Sequence, residues 1–236
     1  MRPFARALVV VLLAGSTVAL GGARPSAPAG GGGPAILDPG GFTTRIDNPY
    51  WPMAPGSRWV YRETAPEGDA HRVEVTVTGR TTTVLGVEAR VVRDVVVEHG
   101  RPLEATDDWY AQDTQGNLWQ LGEVRHEFGG AETSTAGSWE AGVDGAQPVL
   151  VLPAHPDPGT IYRQTDAAVQ VLSAGTTAKV PYGSFERVLV TEESASLEPG
   201  QVEHEFYARG VGPVLAVTVS GGSGREELVG FEGART

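Results

Sequence analysis

The chain has no cysteine among its 236 residues. Disulfides, thiolate metal sites, a cysteine nucleophile and acylation of a lipobox cysteine are all excluded at once. Lysine is nearly absent, with Lys179 alone, and 29 acidic residues outweigh 18 basic ones for a formal net charge of −11. So acidic a surface repels nucleic acid and anionic membrane, and neither is expected as a partner. Helical periodicity is scarce beyond the leader. The serine-hydrolase signature G-x-S-x-G and the zinc signatures H-x-x-x-H and H-E-x-x-H do not occur.

What is present begins with an export-type leader. Arg2 and Arg6 supply a basic start, ALVVVLLAGSTVAL supplies an apolar core, and GGA places small residues where a peptidase would cut after Ala23. The alternative is an uncleaved anchor, but the apolar run is short and broken by Gly15, Ser16 and Thr17. Nothing later in the chain is long and apolar enough to cross a bilayer. A secreted, extracytoplasmic protein with no integral membrane segment after leader removal is expected. Residues 24–41 are rich in Pro, Gly and Ala without periodicity, which predicts a flexible linker. A single all-β domain is then expected over 42–236.

Short β-branched runs alternate with turn residues through that domain. In HRVEVTVTG the residues Val73, Val75 and Val77 fall on one face of a strand. Turns are predicted at EGD, LG, HGR and QGN. The pattern also repeats. Pro55 and Pro158 open similar PG[ST] segments 103 residues apart. Gly86 and Gly183, like Trp109 and Phe206, are 97 residues apart in matching contexts. Two related meanders, at about 48–140 and 150–219, are expected. They would form one strongly curved antiparallel sheet, a half-barrel or open barrel. The long connection between them reads as a functional loop, with VLVL as a short strand inside it.

Four groups of residues could carry chemistry. Asp107, Asp108, Asp113 and Asn117 offer hard oxygens for calcium, but the spacing is not that of an EF-hand, and DTQGN is a hairpin turn in its own right. His71, His99, His126, His155 and His204 have no chelating spacing. The carboxylates Glu127, Glu140 and Asp144 could meet in space as a glycosidase-like pair, and Ser184 sits where a turn enters a strand. Finally, all five tryptophans precede residue 140. Trp59, Tyr61, Trp109, Trp119 and Trp139 read either as core or as the lining of a concave apolar surface. No catalytic residue, metal or cofactor is assigned.

The segments YWPMAPGSRWVYRE, DWYAQDTQGNLWQLGE, GSWEAGVDGAQPVLVLPAHPDPGTIYRQ, VPYGSFERVLVTEE and EFYARGVGPV together resemble a group of secreted or lipid-anchored bacterial β proteins. That group is similar to the TapB and DUF3108-like proteins. The resemblance spans about residues 48–219. It implies a LolA-like half-barrel and no enzymatic activity. The missing lipobox cysteine departs from many such proteins and speaks against an anchor. The expected function is a non-enzymatic binding protein for a lipid-like or other amphipathic ligand on the concave sheet face. The alternatives are a secreted carboxylate-dependent hydrolase or a structural or interaction protein of the cell envelope.

Overall fold

A computed structural model describes residues 37–64, 70–128, 133–164, 167–195 and 200–234. The leader, residues 24–36 of the expected linker and the predicted EGD turn lie outside them. The rest of that linker is not featureless. Pro39–Gly41 form a single 3-10 turn, because the Asp38 side chain accepts from the Gly40 amide and proline fixes the first φ. Leu37 packs against a buried cluster just beyond it.

The strands are β1 (Phe42–Thr43), β2 (Arg58–Thr64), β3 (Ala70–Val84), β4 (Val87–Glu98), β5 (Arg101–Asp113), β6 (Leu118–Glu127) and β7 (Trp139–Glu140). They continue with β8 (Val149–Leu152), β9 (Ile161–Arg163), β10 (Ala167–Val180), β11 (Gly183–Ala195), β12 (Val202–Ala208), β13 (Gly212–Ser220) and β14 (Arg225–Glu232). All pair antiparallel in one sheet, in the order β7-β6-β5-β4-β3-β2-β14-β13-β12-β11-β10-β9, with β1 on β5 and β8 on β6. The two halves contribute meanders of the same form, β2 to β6 and β9 to β13. The C-terminal strand β14 lies between them and pairs with both β2 and β13.

Hairpin chemistry explains the tight corners. Leu85 and Gly86 both have positive φ, 50° and 82°, as do His99 and Gly100. That is the primed-turn geometry whose twist matches the strands it joins.

The sheet curls, and its two faces bury different things. On the inner face, Trp59, Tyr61, Val73, Val75 and Val77 belong to one large cluster that also takes in Tyr110, Leu118, Leu152, Tyr162 and Tyr207. The curl is measured by Trp51, in the lead-in segment. Its ring lies 5.7 Å from Tyr110 on β5 and 6.3 Å from Tyr207 on β12, strands far apart in sheet order. Asn48 pins this lead-in across the inner face by donating to the carbonyls of Gly116 and Pro153. On the other side, the long β10–β11 hairpin bends at three register shifts. Its tip reaches β14, where the Tyr182 amide donates to the Leu228 carbonyl. The Phe231 ring there lies tilted against Trp59, with centroids 5.3 Å apart.

The outer face of the first meander carries a second, smaller cluster of Val84, Val87, Ala89, Ala111, Leu121 and Ala141. The segment around β7 and the Leu37–Phe42 stretch cover it. Gly122 is required there. A β-carbon at this position would come within 2.7 Å of both the Trp109 ring and the Trp139 carbonyl.

Candidate functional site

The sheet does not close through backbone. β8 extends one end of it from β6, and β9 ends the other. Among the described residues, β8 and β9 share no ladder. Two side chains span the gap instead. The Tyr162 hydroxyl donates to the Val151 carbonyl at 3.0 Å, and the Gln164 amide donates to the Leu150 carbonyl at 3.3 Å. We call this gap the seam.

Behind the seam is a small hollow lined by Trp51, Val151, Tyr162, Gln164, Val169, Glu193, Glu205 and Tyr207. It has room for about one water molecule. Strand register assembles it. Tyr162 pairs with Val169, Val169 with Glu193, and Thr191, two residues back on the same face, with Glu205. Tyr207 follows Glu205 on that face. Glu193 and Glu205 are therefore diagonal neighbours across β11 and β12, within reach of each other.

The electrostatics of the hollow are unusual. Burial pushes the Glu193 carboxyl up to about 8, and the negative charge of Glu205 adds to the effect. Glu205 accepts the Tyr207 hydroxyl proton in a short hydrogen bond. Burial first, then the Glu205 charge, raise both Tyr162 and Tyr207, so both phenols stay protonated donors. Among the lining residues, Gln164 Oε1 is buried without a hydrogen-bond partner; Thr191 Oγ1, on the same strand face, is also unpartnered but does not line the hollow. Thr191 is 1% exposed.

The residues singled out from sequence fall elsewhere. Trp59 and Tyr61 sit at 0% and 1% exposure, and each is tied to β13 or the turn before it. Trp59 Nε1 donates to the Val211 carbonyl at 2.8 Å, and the Tyr61 hydroxyl donates to the Pro213 carbonyl at 3.1 Å. Trp109, Trp119 and Trp139 pack on the outer-face cluster. The five rings therefore do not share a surface. Alternation along β5 separates them, since Tyr110 faces inward and Trp109 outward.

The calcium candidates are likewise dispersed. Asp107 pairs with Arg80 and Arg93 at 2.9 and 3.1 Å. Asp108 accepts from Gln120 on the opposite face. Asp113 closes its own hairpin, accepting from the amides of Gln115 and Asn117, the Asn117 side chain and Trp119 Nε1. Burial would raise its pKa, but those four bonds outweigh burial and hold it below the usual carboxylate value. Five or six strand residues separate Asp113 from Asp107 and Asp108, roughly 17–20 Å, too far to share one ion. Among the described residues no three His, Asp or Glu side chains form a metal-holding group.

Glu127 stands apart from Glu140 and Asp144. Glu127 is bound to Arg125 at 2.5 Å on β6, Glu140 pairs with Gly122 further along that strand, and Asp144 lies in the turn beyond β7. Sequence reasoning missed Glu193 and Glu205. The available signal was a glutamate at an inward position in each of VLVTEES and VEHEFYA, Glu193 on the face of Thr191 and Leu189 and Glu205 on the face of Glu203 and Tyr207. No helix among the described residues is long and apolar enough to cross a membrane.

No family model matches the chain, and no curated protein matches it in sequence. Two solved structures resemble it. One is a protein inferred to be exported, with a YmcC-like fold, from Bacteroides fragilis. It has 12% sequence identity and a TM-score of 0.47, covering 78% of this chain and 99% of that one. The other is a protein inferred to be a lipoprotein, from Parabacteroides distasonis. It has 10% identity and a TM-score of 0.45, covering 78% of this chain and 98% of that one.

Proposed function

We propose that this chain is an exported, non-enzymatic binding protein that admits an amphipathic ligand at the seam. Export rests on the basic, apolar and small-residue order of residues 1–23. The observation that carries the binding reading is the seam itself. Two strands meet there through two side-chain hydrogen bonds, so parting them breaks no backbone ladder. Parting them uncovers an apolar wall of Trp51, Val151 and Val169 beside the polar groups of Glu193, Glu205 and Tyr207. An apolar wall with a few convergent polar groups is the usual make-up of a small-molecule site. The motif resemblance to TapB and DUF3108-like proteins, and through them to LolA-like half-barrels, points the same way. In this reading Trp59 and Tyr61 hold the wall in place. Trp109, Trp119 and Trp139 stabilise the outer face and do not touch the ligand.

Native mass spectrometry of protein purified gently from its own host tests this reading. The expected spectrum shows added mass that organic solvent removes. Val169→Trp, which fills the hollow, should lose that mass while keeping its β-sheet circular dichroism. A bare mass for both proteins would count against the reading.

One observation favours a second reading, a carboxylate-pair hydrolase. Glu193 holds its proton up to about pH 8 beside Glu205, the division of labour that acid and nucleophile need. Turnover of a chromogenic glycoside, lost at least a hundredfold in both Glu193→Gln and Glu205→Gln, would install this reading in place of the first.

A further inference from the structure

The two residues that fasten the seam also wall the hollow behind it. Tyr162 and Gln164 make the side-chain bonds to β8, and both line the space that Glu193 and Glu205 enter. A change of charge in the hollow therefore acts directly on the fastenings. Nothing else holds β8 to β9, since no backbone ladder joins them among the described residues.

The hollow is built to feel such a change. Glu205 accepts the Tyr207 hydroxyl, and its negative charge already bears on Glu193. Among the described residues, β12 turns Glu203, Glu205 and Tyr207 towards Glu193, and β9 turns Tyr162 towards it. β8, β10 and the lead-in segment add no titratable group, and no arginine, lysine or histidine lines the hollow. A proton on Glu193 keeps a second charge out of this space. Once that proton leaves, two carboxylates share apolar walls and room for about one water. Hydration relieves the pair, and hydration requires a wall to part. The seam is the wall that parts without breaking a ladder.

We propose that the seam is a pH-controlled latch, shut while Glu193 is neutral and parted when Glu193 and Glu205 are both ionised and water enters between β8 and β9. The inference rests on the seam reading above and adds what regulates access to that site.

The sign follows from proton balance. Opening hydrates Glu193 and lets its proton go to solvent. The shut form holds a proton that the open form has lost, so raising the pH favours opening, by up to about tenfold in open population per pH unit. The window runs from the ordinary carboxyl value of 4.5, which hydrated Glu193 regains, to its value of about 8 in the shut form. Below the window the latch stays shut. Above it the open population levels off.

Amide exchange of the ligand-free protein across this window tests the latch, read as protection factors so that the pH dependence of exchange chemistry cancels. Protection at β9 and the start of β10 should fall at least tenfold between about pH 6 and pH 8. The fall should be insensitive to low urea, because parting a seam exposes little surface. Glu193→Gln, which cannot ionise, should keep that protection flat. Glu205→Gln, which removes the facing charge, should make the fall level off at lower pH. If protection at β9 instead responds to urea in step with β3 and β4, Glu193 acts on overall stability alone and the latch is overturned. A Glu193→Gln protein that keeps the parent's pH dependence overturns it as well. The binding reading stands or falls separately, on the added mass in native spectra. A failed latch with that mass present leaves binding intact, and a working latch with a bare mass removes binding alone.

Discussion

At the scale of single residues, Glu193 sets how stability depends on pH. Its folded pKa of about 8 lies above the ordinary value of 4.5, so between those limits the native state holds a proton that the unfolded chain has lost. The contribution is fully present below about pH 4.5 and is lost as pH rises through 8. Glu193→Gln should remove this slope. Its denaturation midpoint should stay flat from pH 5 to 8 while the parent's falls, by an amount on the order of a few kcal/mol at most. Asp113 has the opposite sign. Its pKa is held down, so its contribution is present above about 3.8 and is lost as pH falls below that. Asp113→Ala leaves two backbone amides, the Asn117 side chain and the Trp119 indole without their acceptor. It should cost about 2 kcal/mol in urea denaturation. Asp113 was legible as a turn residue from DTQGN alone, because an Asx side chain closes its own hairpin through neighbours in sequence. Glu193 was not, because its neighbours come from β9 and β12 and depend on strand register.

At the scale of elements, the seam and the outer-face cluster behave differently. Tyr162→Phe removes one of two side-chain bonds spanning β8 and β9. The expected result is a loss of about 1 kcal/mol and faster amide exchange confined to β9 and the start of β10. Uniform exchange across the sheet would show that the seam is not a separate opening unit. Gly122→Ala acts on the other face. Its new methyl overlaps the Trp109 ring and the Trp139 carbonyl, so β7 must move or the strand must shift. A loss of about 2–3 kcal/mol is expected, with near-ultraviolet circular dichroism changed at the tryptophan bands. Alternation along β5 puts Trp109 and Tyr110 on opposite faces. It did not show that the outward side would also be buried. The covering segment around β7 comes from the long connection, which carries little periodicity.

At the scale of the whole molecule, β14 joins the two meanders. Leu228 is fully buried, and the Phe231 ring packs tilted against Trp59. Removing residues 225–236 would leave β2 and β13 as open sheet edges and unpair the two halves. The truncated chain should lose its single cooperative unfolding transition and self-associate. Calorimetry and sedimentation would detect either change. An intact, monomeric, cooperative product would show that the halves hold together without this strand.

What the sequence by itself determined is local. Alternating valines, primed-turn dipeptides and an acidic composition without cysteine specify an all-β chain of hairpins. They also fix which residues share a face of each strand. They do so because strand period and turn geometry depend on a few adjacent residues. What only the tertiary structure decided is how far the sheet curls, which face the lead-in segment and the β10–β11 tip would fill, and where the fold stops short of closure. Those depend on packing between strands far apart in the chain. Trp51 touches both β5 and β12, and Tyr162 reaches across to β8. The candidate site lies at that unclosed join, so its residues look ordinary in sequence and come together only when the sheet bends.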